Sequence, residues 1–187
     1  LNAYYWKPIQ SGTIETEDKN TVMQIADVNK DRILPCIYEF KAPLSPHEAA
    51  ALEEVTVDPL RLAMPTVTGN LIIEGAGGVM VPINKTYLMI DLIKDLACET
   101  IVVARSGLGT INHTLLTLNA LRHAGVKIKG VILNGPINHS NCQAIAEFGQ
   151  ANILGQLPFI ENLDFRSLPV NYFNLEDEIT EQPCNGE

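Results

Sequence analysis

The chain has 187 residues, 46% of them hydrophobic and 19% charged, with 22 acidic against 13 basic side chains and a formal net charge of −9. A chain of this length buries about 70% of the surface its unfolded form exposes, so a globular domain with a real core is expected rather than a disordered chain. The acidic balance argues against a general nucleic-acid binder and against an anionic-membrane binder, because both need a cationic face; a local basic pocket for a phosphate is compatible with it.

No apolar run approaches the roughly 18 residues that a membrane-spanning helix requires. The start, LNAYYWKPIQSG, lacks the basic region, apolar run and small-residue cleavage site of a secretion signal. Cys36, Cys98, Cys142 and Cys184 are scattered without CxxC spacing, so reduced thiols in a cytoplasmic protein are expected and no zinc or redox motif is. The chain opens on Leu1 directly before a strand-like segment, which leads us to expect sequence upstream of it.

Tyr4, Tyr5 and Trp6 read as a strand that Lys7-Pro8 stops. Thr13 to Asn20 reads as a polar loop, and Val22, Ile25 and Ala26 carry helical spacing. Ala42-Pro43-Leu44-Ser45-Pro46 is a stiff loop, with Ser45 as N-cap, Pro46 at the first helical position and an Ala-rich run to Glu54. Asp58-Pro59 starts another helix, which Pro65 limits. Asn70 to Glu74 is a short apolar run leading into Gly75-Ala76-Gly77-Gly78, and Tyr87 to Leu96 has helical spacing. Thr100 to Ala104 suits a buried parallel strand. Thr110 to Ala124 is an amphipathic helix with Ile111, Leu115, Leu118 and Leu121 on one face and Gly125 as its stop. Ile128 to Leu133 is a strand, Asn141 to Gly149 a helix, and Ile153 opens a last short strand.

Strands alternating with helices predict an α/β fold, a mostly parallel sheet with helices on both faces. In such sheets ligands bind outside the carboxyl ends of the strands, which draws attention to four strand-to-helix turns. The first, KPIQSG with Asp18 beyond it, offers a positive charge at Lys7, a hydroxyl at Ser11 and a carboxylate for a hard divalent cation; a solvated turn with a surface lysine is the alternative. The second, IIEGAGG, ends an apolar strand on Glu74, a carboxylate that is costly there unless paired or metal-bound; a salt-bridged Glu in a tight turn is the alternative. The third, RSGLGTINHT, presents the backbone N–H groups of Gly107, Leu108, Gly109 and Thr110 at a helix start, a ready anion site, with Asn112 in the first turn; an ordinary Gly-rich turn, with His113 a hydrogen-bonded structural residue, is the alternative. The fourth starts at Asn134, whose amide can donate to and accept from an adenine edge at once, although Asn-Gly is also a common turn dipeptide.

In this order KP-x-x-SG, Asp18, APLSPH, IIEGAGG, GLGTINHT and VILN resemble the dethiobiotin synthetases, over residues 4–160 or so. IEGAGG alone is shared with cobyric-acid-type amidotransferases; the combination is much more selective. The resemblance implies a P-loop NTPase-like α/β fold, a cytoplasmic homodimer, and ATP- and Mg²⁺-dependent closure of the ureido ring on 7,8-diaminononanoate and CO2. It implies that Lys7 binds the amine or carbamate and the transferred phosphate, that Ser11 lies near the diamine, and that Asp18 and Glu74 hold Mg²⁺. It further implies that Gly77 lines the site and that Leu108, Gly109, Thr110 and Asn112 hold the substrate carboxylate across a dimer interface. Asn134 then reads the adenine, with Leu157 and Pro158 flanking it. Neither a nucleic acid nor a membrane is among the implied partners.

Three departures accompany the resemblance. The pattern G-x-x-x-x-G-K-S/T of a phosphate loop does not occur in the chain, and a strand, loop and helix to carry it would need roughly 30 residues before Leu1. The stretch between His47 and Glu74 is shorter than the family pattern implies. Residues 171–187 form an acidic tail expected to be disordered, leaving residues 1–170 as the α/β domain. Three expectations follow: a piece of a longer dethiobiotin synthetase, a non-catalytic remnant that still binds substrate or pairs with a partner, or another ATPase-superfamily member such as a cobyric-acid-type amidotransferase or a partition-type ATPase.

Overall fold

A computed structural model describes residues 3–14 and 17–160. The expected acidic tail lies outside the described residues. The chain separates into two compact units, one running to Leu96 and the other starting at Ala97. Both are built from parallel strands and helices, which bears out the α/β class.

In the first unit β1 (Ala3–Trp6) pairs in parallel with β4 (Asn70–Ile73), with Tyr5 opposite Ile72 and Trp6 opposite Ile73. The ladder continues past the last strand residue, since Glu74 N–H donates to Trp6 C=O at 2.9 Å. On its other side β1 meets Ile33 in a parallel bridge. Two further strands, β2 (Ile9–Ser11) and β3 (Tyr38–Phe40), pair in parallel with Ser11 opposite Phe40. This pair is not foreseen from the sequence, because three-residue strands beside a proline show no period. Helix α1 (Asp18–Ala26) begins in the expected loop, with the Asp18 carboxylate in the first turn, where the helix dipole favours it. Helix α2 (Pro46–Leu52) starts as expected after Ser45, whose hydroxyl pairs with His47 Nδ1 at 2.9 Å instead of capping the backbone. The expected helix at Asp58 is only a 3-10 turn over Pro59–Arg61. Helix α3 (Met89–Leu96) buries Met89, Ile90 and Leu92. Ile9, Phe40, Ala49, Val57, Leu62, Ile83 and Met89 form the core here.

The second unit is a three-stranded parallel sheet ordered β5 (Thr100–Arg105), β6 (Ile128–Asn134), β7 (Ile153–Leu157). Helix α4 (Thr110–His123) buries Thr110, Thr114, Leu118 and Leu121, so the inward stripe is turned from the expected one; Ile111 and Leu115 sit at its margin. Helix α5 (His139–Gly149) begins earlier than expected because the Asn138 side chain accepts from Asn141 N–H and caps it. Leu118, Val131, Leu133, Cys142 and Ile145 pack with Ala104 into the core. The strand TIVVA is not buried on both faces within its unit: Ala104 points into this core, while Val103 is 65% exposed. No helix among the described residues is long and apolar enough to cross a membrane.

Candidate functional site

Strand period and register assemble the first constellation. Side chains two apart on a strand share a face, so Tyr5 and Lys7 lie on one face of β1 and its continuation, and Ile72 and Glu74 lie on the matching face of β4. With Tyr5 opposite Ile72, two residues further along bring Lys7 opposite Glu74. Lys7 is 7% exposed, and its ammonium donates to Glu74 Oε1 at 2.8 Å and to Asp18 Oδ2 at the start of α1. Burial pulls the Lys7 pKa down, but the hydrogen bonds it donates to both carboxylates, with their negative charge, outweigh that and hold the group above its ordinary value, so the ammonium stays charged through the neutral range.

The two carboxylates are more open than the lysine, with side chains 41% (Asp18) and 43% (Glu74) exposed. This corrects one expectation. Glu74 does not end a fully buried strand, since Ile72 beside it is 50% exposed. The costly buried charge is the lysine, and the carboxylates are its compensation. One cation and two anions leave the cluster at −1. Among the described residues no group of three or more His, Cys, Asp or Glu side chains gathers as a metal site. Asp18 and Glu74 form a pair of carboxylates, each open to solvent on the side away from Lys7.

Tyr5, for which the sequence alone suggests no role, completes the group. Its hydroxyl donates to Glu74 Oε2 at 2.5 Å, and the side chain is buried. Burial first, and the neighbouring Glu74 charge and hydrogen bond next, hold the phenol protonated well above its ordinary range. The spacing of Tyr5 and Lys7 was the available signal; the strand pairing that gives it meaning is not visible in one segment.

The remaining first-unit residues cluster by backbone. Ser11 ends β2; its hydroxyl oxygen is buried and makes no hydrogen bond among the described residues. Gly12 N–H donates to Ala42 C=O at 3.0 Å, which ties KPIQSG to APLSPH, and His47 N–H donates to Pro82 C=O at 3.3 Å, which ties SPH to the segment after IIEGAGG. Gly77 has a φ of +83°, and a Cβ there would come within 3.0 Å of Val81, so this turn requires glycine. Burial, then the Glu39 charge, push the Cys36 thiol up to about 11.

The second unit carries the other two turns. Gly107, Leu108 and Gly109 are exposed, Leu108 wholly so, and Gly109 takes a left-handed φ of +88° as the N-cap of α4. Asn112 is exposed in the first helical turn. Thr110 behaves differently from the expected open donor. Its N–H donates to Gly107 C=O at 3.2 Å, and its buried hydroxyl lies 3.4 Å from that of Thr114. Asn134 ends β6 with its side chain exposed, opposite Leu157 in the register of β7. Gly135 N–H donates to Leu157 C=O at 2.9 Å, so Asn134, Leu157 and the following Pro158 are gathered at one strand end. Asn141 Nδ2 donates to Ser106 C=O at 2.8 Å, fixing the start of α5 to the end of β5.

A family model described as an AAA domain matches residues 1–167. An ATP-dependent dethiobiotin synthetase of Agrobacterium fabrum (strain C58) is 43% identical over 180 residues, covering 95% of this chain and 85% of that protein. The enzyme of the same name from Paramagnetospirillum magneticum is 47% identical over 170 residues, covering 89% of this chain and 82% of that protein. Another, from a Bradyrhizobium species, is 44% identical over 169 residues, covering 90% of this chain and 80% of that protein.

Proposed function

Since the chain belongs to the dethiobiotin synthetase family, ATP-dependent ligases of biotin biosynthesis, we propose that it serves the ATP- and Mg²⁺-dependent ring closure of 7,8-diaminononanoate with CO2. One amine adds CO2 and loses a proton, giving a carbamate. A carbamate oxygen attacks the γ-phosphorus of ATP and releases ADP. The second amine then attacks the carbamoyl carbon of the mixed anhydride, loses a proton, closes the ureido ring and expels inorganic phosphate. Phosphoryl transfer of this kind is mainly positioning and neutralisation of charge.

The observation that carries this reading is the buried Lys7 ammonium held between Asp18 and Glu74. Lys7 marks a point where positive charge is stabilised beside an accessible edge. In this reading Lys7 binds the carbamate and the phosphoryl group in transfer, and Ser11 meets the diamine. The donor set fits Mg²⁺, which is commonly held by one or two carboxylates together with water and substrate phosphates. When bound, the cation would neutralise charge on the phosphates; Asp18 and Glu74 would hold it, and Gly77 keeps the turn beside Glu74 open.

In the second unit, the exposed backbone of Leu108 and Gly109 and the Asn112 amide suit the substrate carboxylate. Thr110 supports that turn from within. Asn134 suits the adenine edge, flanked by Leu157 and Pro158. A homodimer in the cytoplasm completes the reading. The triphosphate needs donors beyond these residues, since the chain contains no G-x-x-x-x-G-K-S/T loop.

The test is Glu74→Gln in the protein expressed from its whole coding sequence. Loss of the charge is expected to lower Mg²⁺- and ATP-dependent dethiobiotin formation by on the order of 100-fold or more. Turnover equal to the wild type would remove Glu74 from the cation site and the reading with it.

A further inference from the structure

Glu74 is held by two donors from one strand face. Lys7 takes Oε1 and Tyr5 takes Oε2. A glutamate has three side-chain torsions, and with 43% of its side chain exposed Glu74 would otherwise sample several rotamers. Tyr5 has only two side-chain torsions, and its ring is buried with 6% exposure in the middle of β1, flanked by β4 and Ile33. Its hydroxyl is therefore a fixed point against which the carboxylate is set. Anchoring Oε2 turns Oε1 toward Lys7, the side on which Asp18 also lies.

We infer that Tyr5 is a positioning residue that orients Glu74 for cation binding. The inference rests on the reading of Asp18 and Glu74 as the cation-binding pair. A phenol is suited to this task because it donates one hydrogen bond without adding charge. A second cationic donor there would compete with the metal. Outer partners of this kind matter because a ligand free to rotate must be ordered when the metal binds, and their removal commonly costs metal affinity tenfold or more.

The experiment reads metal binding rather than turnover. Mn²⁺ is titrated into the whole-coding-sequence protein in the presence of ADP, with free Mn²⁺ measured by electron paramagnetic resonance. Tyr5→Phe is expected to raise the half-saturating Mn²⁺ about tenfold. Glu74→Ala is expected to raise it at least as far, and Tyr5→Phe/Glu74→Ala no further than Glu74→Ala alone. Wild-type binding by Tyr5→Phe, with binding weakened by Glu74→Ala, would overturn the role of Tyr5 and leave the carboxylate pair standing. Wild-type binding by Glu74→Ala would overturn both. An undiminished effect of Tyr5→Phe in the Glu74→Ala background would show that Tyr5 acts through general structure. Loss of the cooperative thermal transition in Tyr5→Phe would likewise overturn the positioning role, since Tyr5 would then support the fold and not the carboxylate.

Discussion

The two units arrange their candidate functional groups by different physics. In the first, charged side chains carry the site: Lys7 is buried at the cost of desolvation and offset by two carboxylates and a network that ends on Tyr5. In the second, backbone shape carries it: a left-handed Gly109, an exposed glycine-flanked turn and a neutral amide at Asn134. The first arrangement suits a centre where charge is moved and neutralised. The second suits recognition of parts of a ligand that stay unchanged. Losing a charge should therefore act on the rate in the first unit, whereas losing a side chain in the second should act on affinity for a single ligand.

The sharpest challenge to that contrast is Glu74→Gln, for which a fall in turnover of on the order of 100-fold or more is expected. Asn134→Ala comes next. It removes one neutral donor–acceptor group, so the affinity for ATP, read by calorimetry, should drop about tenfold while that for the diamine is unchanged. Equal losses for both ligands would break the assignment of Asn134 to the base. Gly109→Ala should then cost about 1 kcal/mol in urea unfolding, because an alanine at a φ of +88° is strained. Unchanged stability would show that the turn relaxes and that its shape is not held by glycine.

The smallest effect belongs to an ordinary ion pair in the first unit. Lys19 donates to Glu39 at 2.8 Å; this hydrogen bond, the largest influence on both groups, lowers the carboxyl and raises the ammonium. Stability from this pair is full between the ordinary values of 4.5 and 10.5. It fades as pH falls through the lowered Glu39 value or rises through the raised Lys19 value. Because the Glu39 side chain is 43% exposed, Lys19→Gln should cost only about 0.5 kcal/mol at pH 7, and 1 M salt should erase the difference. A loss as large as that from Gly109→Ala would mean that the contrast between a functional and an ordinary ion pair has been drawn too strongly.

The second unit is more legible in the sequence than the first. Strands β5 and β6 and helices α4 and α5 are long enough for their periods to show, and Gly125 marks the end of α4 plainly. The pair β2–β3 was invisible because each strand has three residues. The start of helix α1 is hidden in the sequence because its first turn, Asp18-Lys19-Asn20, is wholly polar. Lys7, Asp18 and Glu74 stood out singly, each at the end of a strand or loop. Their meeting depends on the register of β1 against β4, a pairing across some 67 residues of chain that no local pattern encodes. The contact of Tyr5 with Glu74 depends on the same register.

That register has a practical consequence. Sliding β1 along β4 by one position would exchange Tyr5 and Lys7 for Tyr4 and Trp6 on the face that meets Glu74. A misaligned molecule would thus leave Glu74 without its ammonium partner even if its compactness and helix content looked normal. On the proposed roles of Lys7 and Glu74, specific activity doubles as a gauge of correct strand alignment, and in a refolded preparation it would count aligned molecules that circular dichroism alone would overestimate.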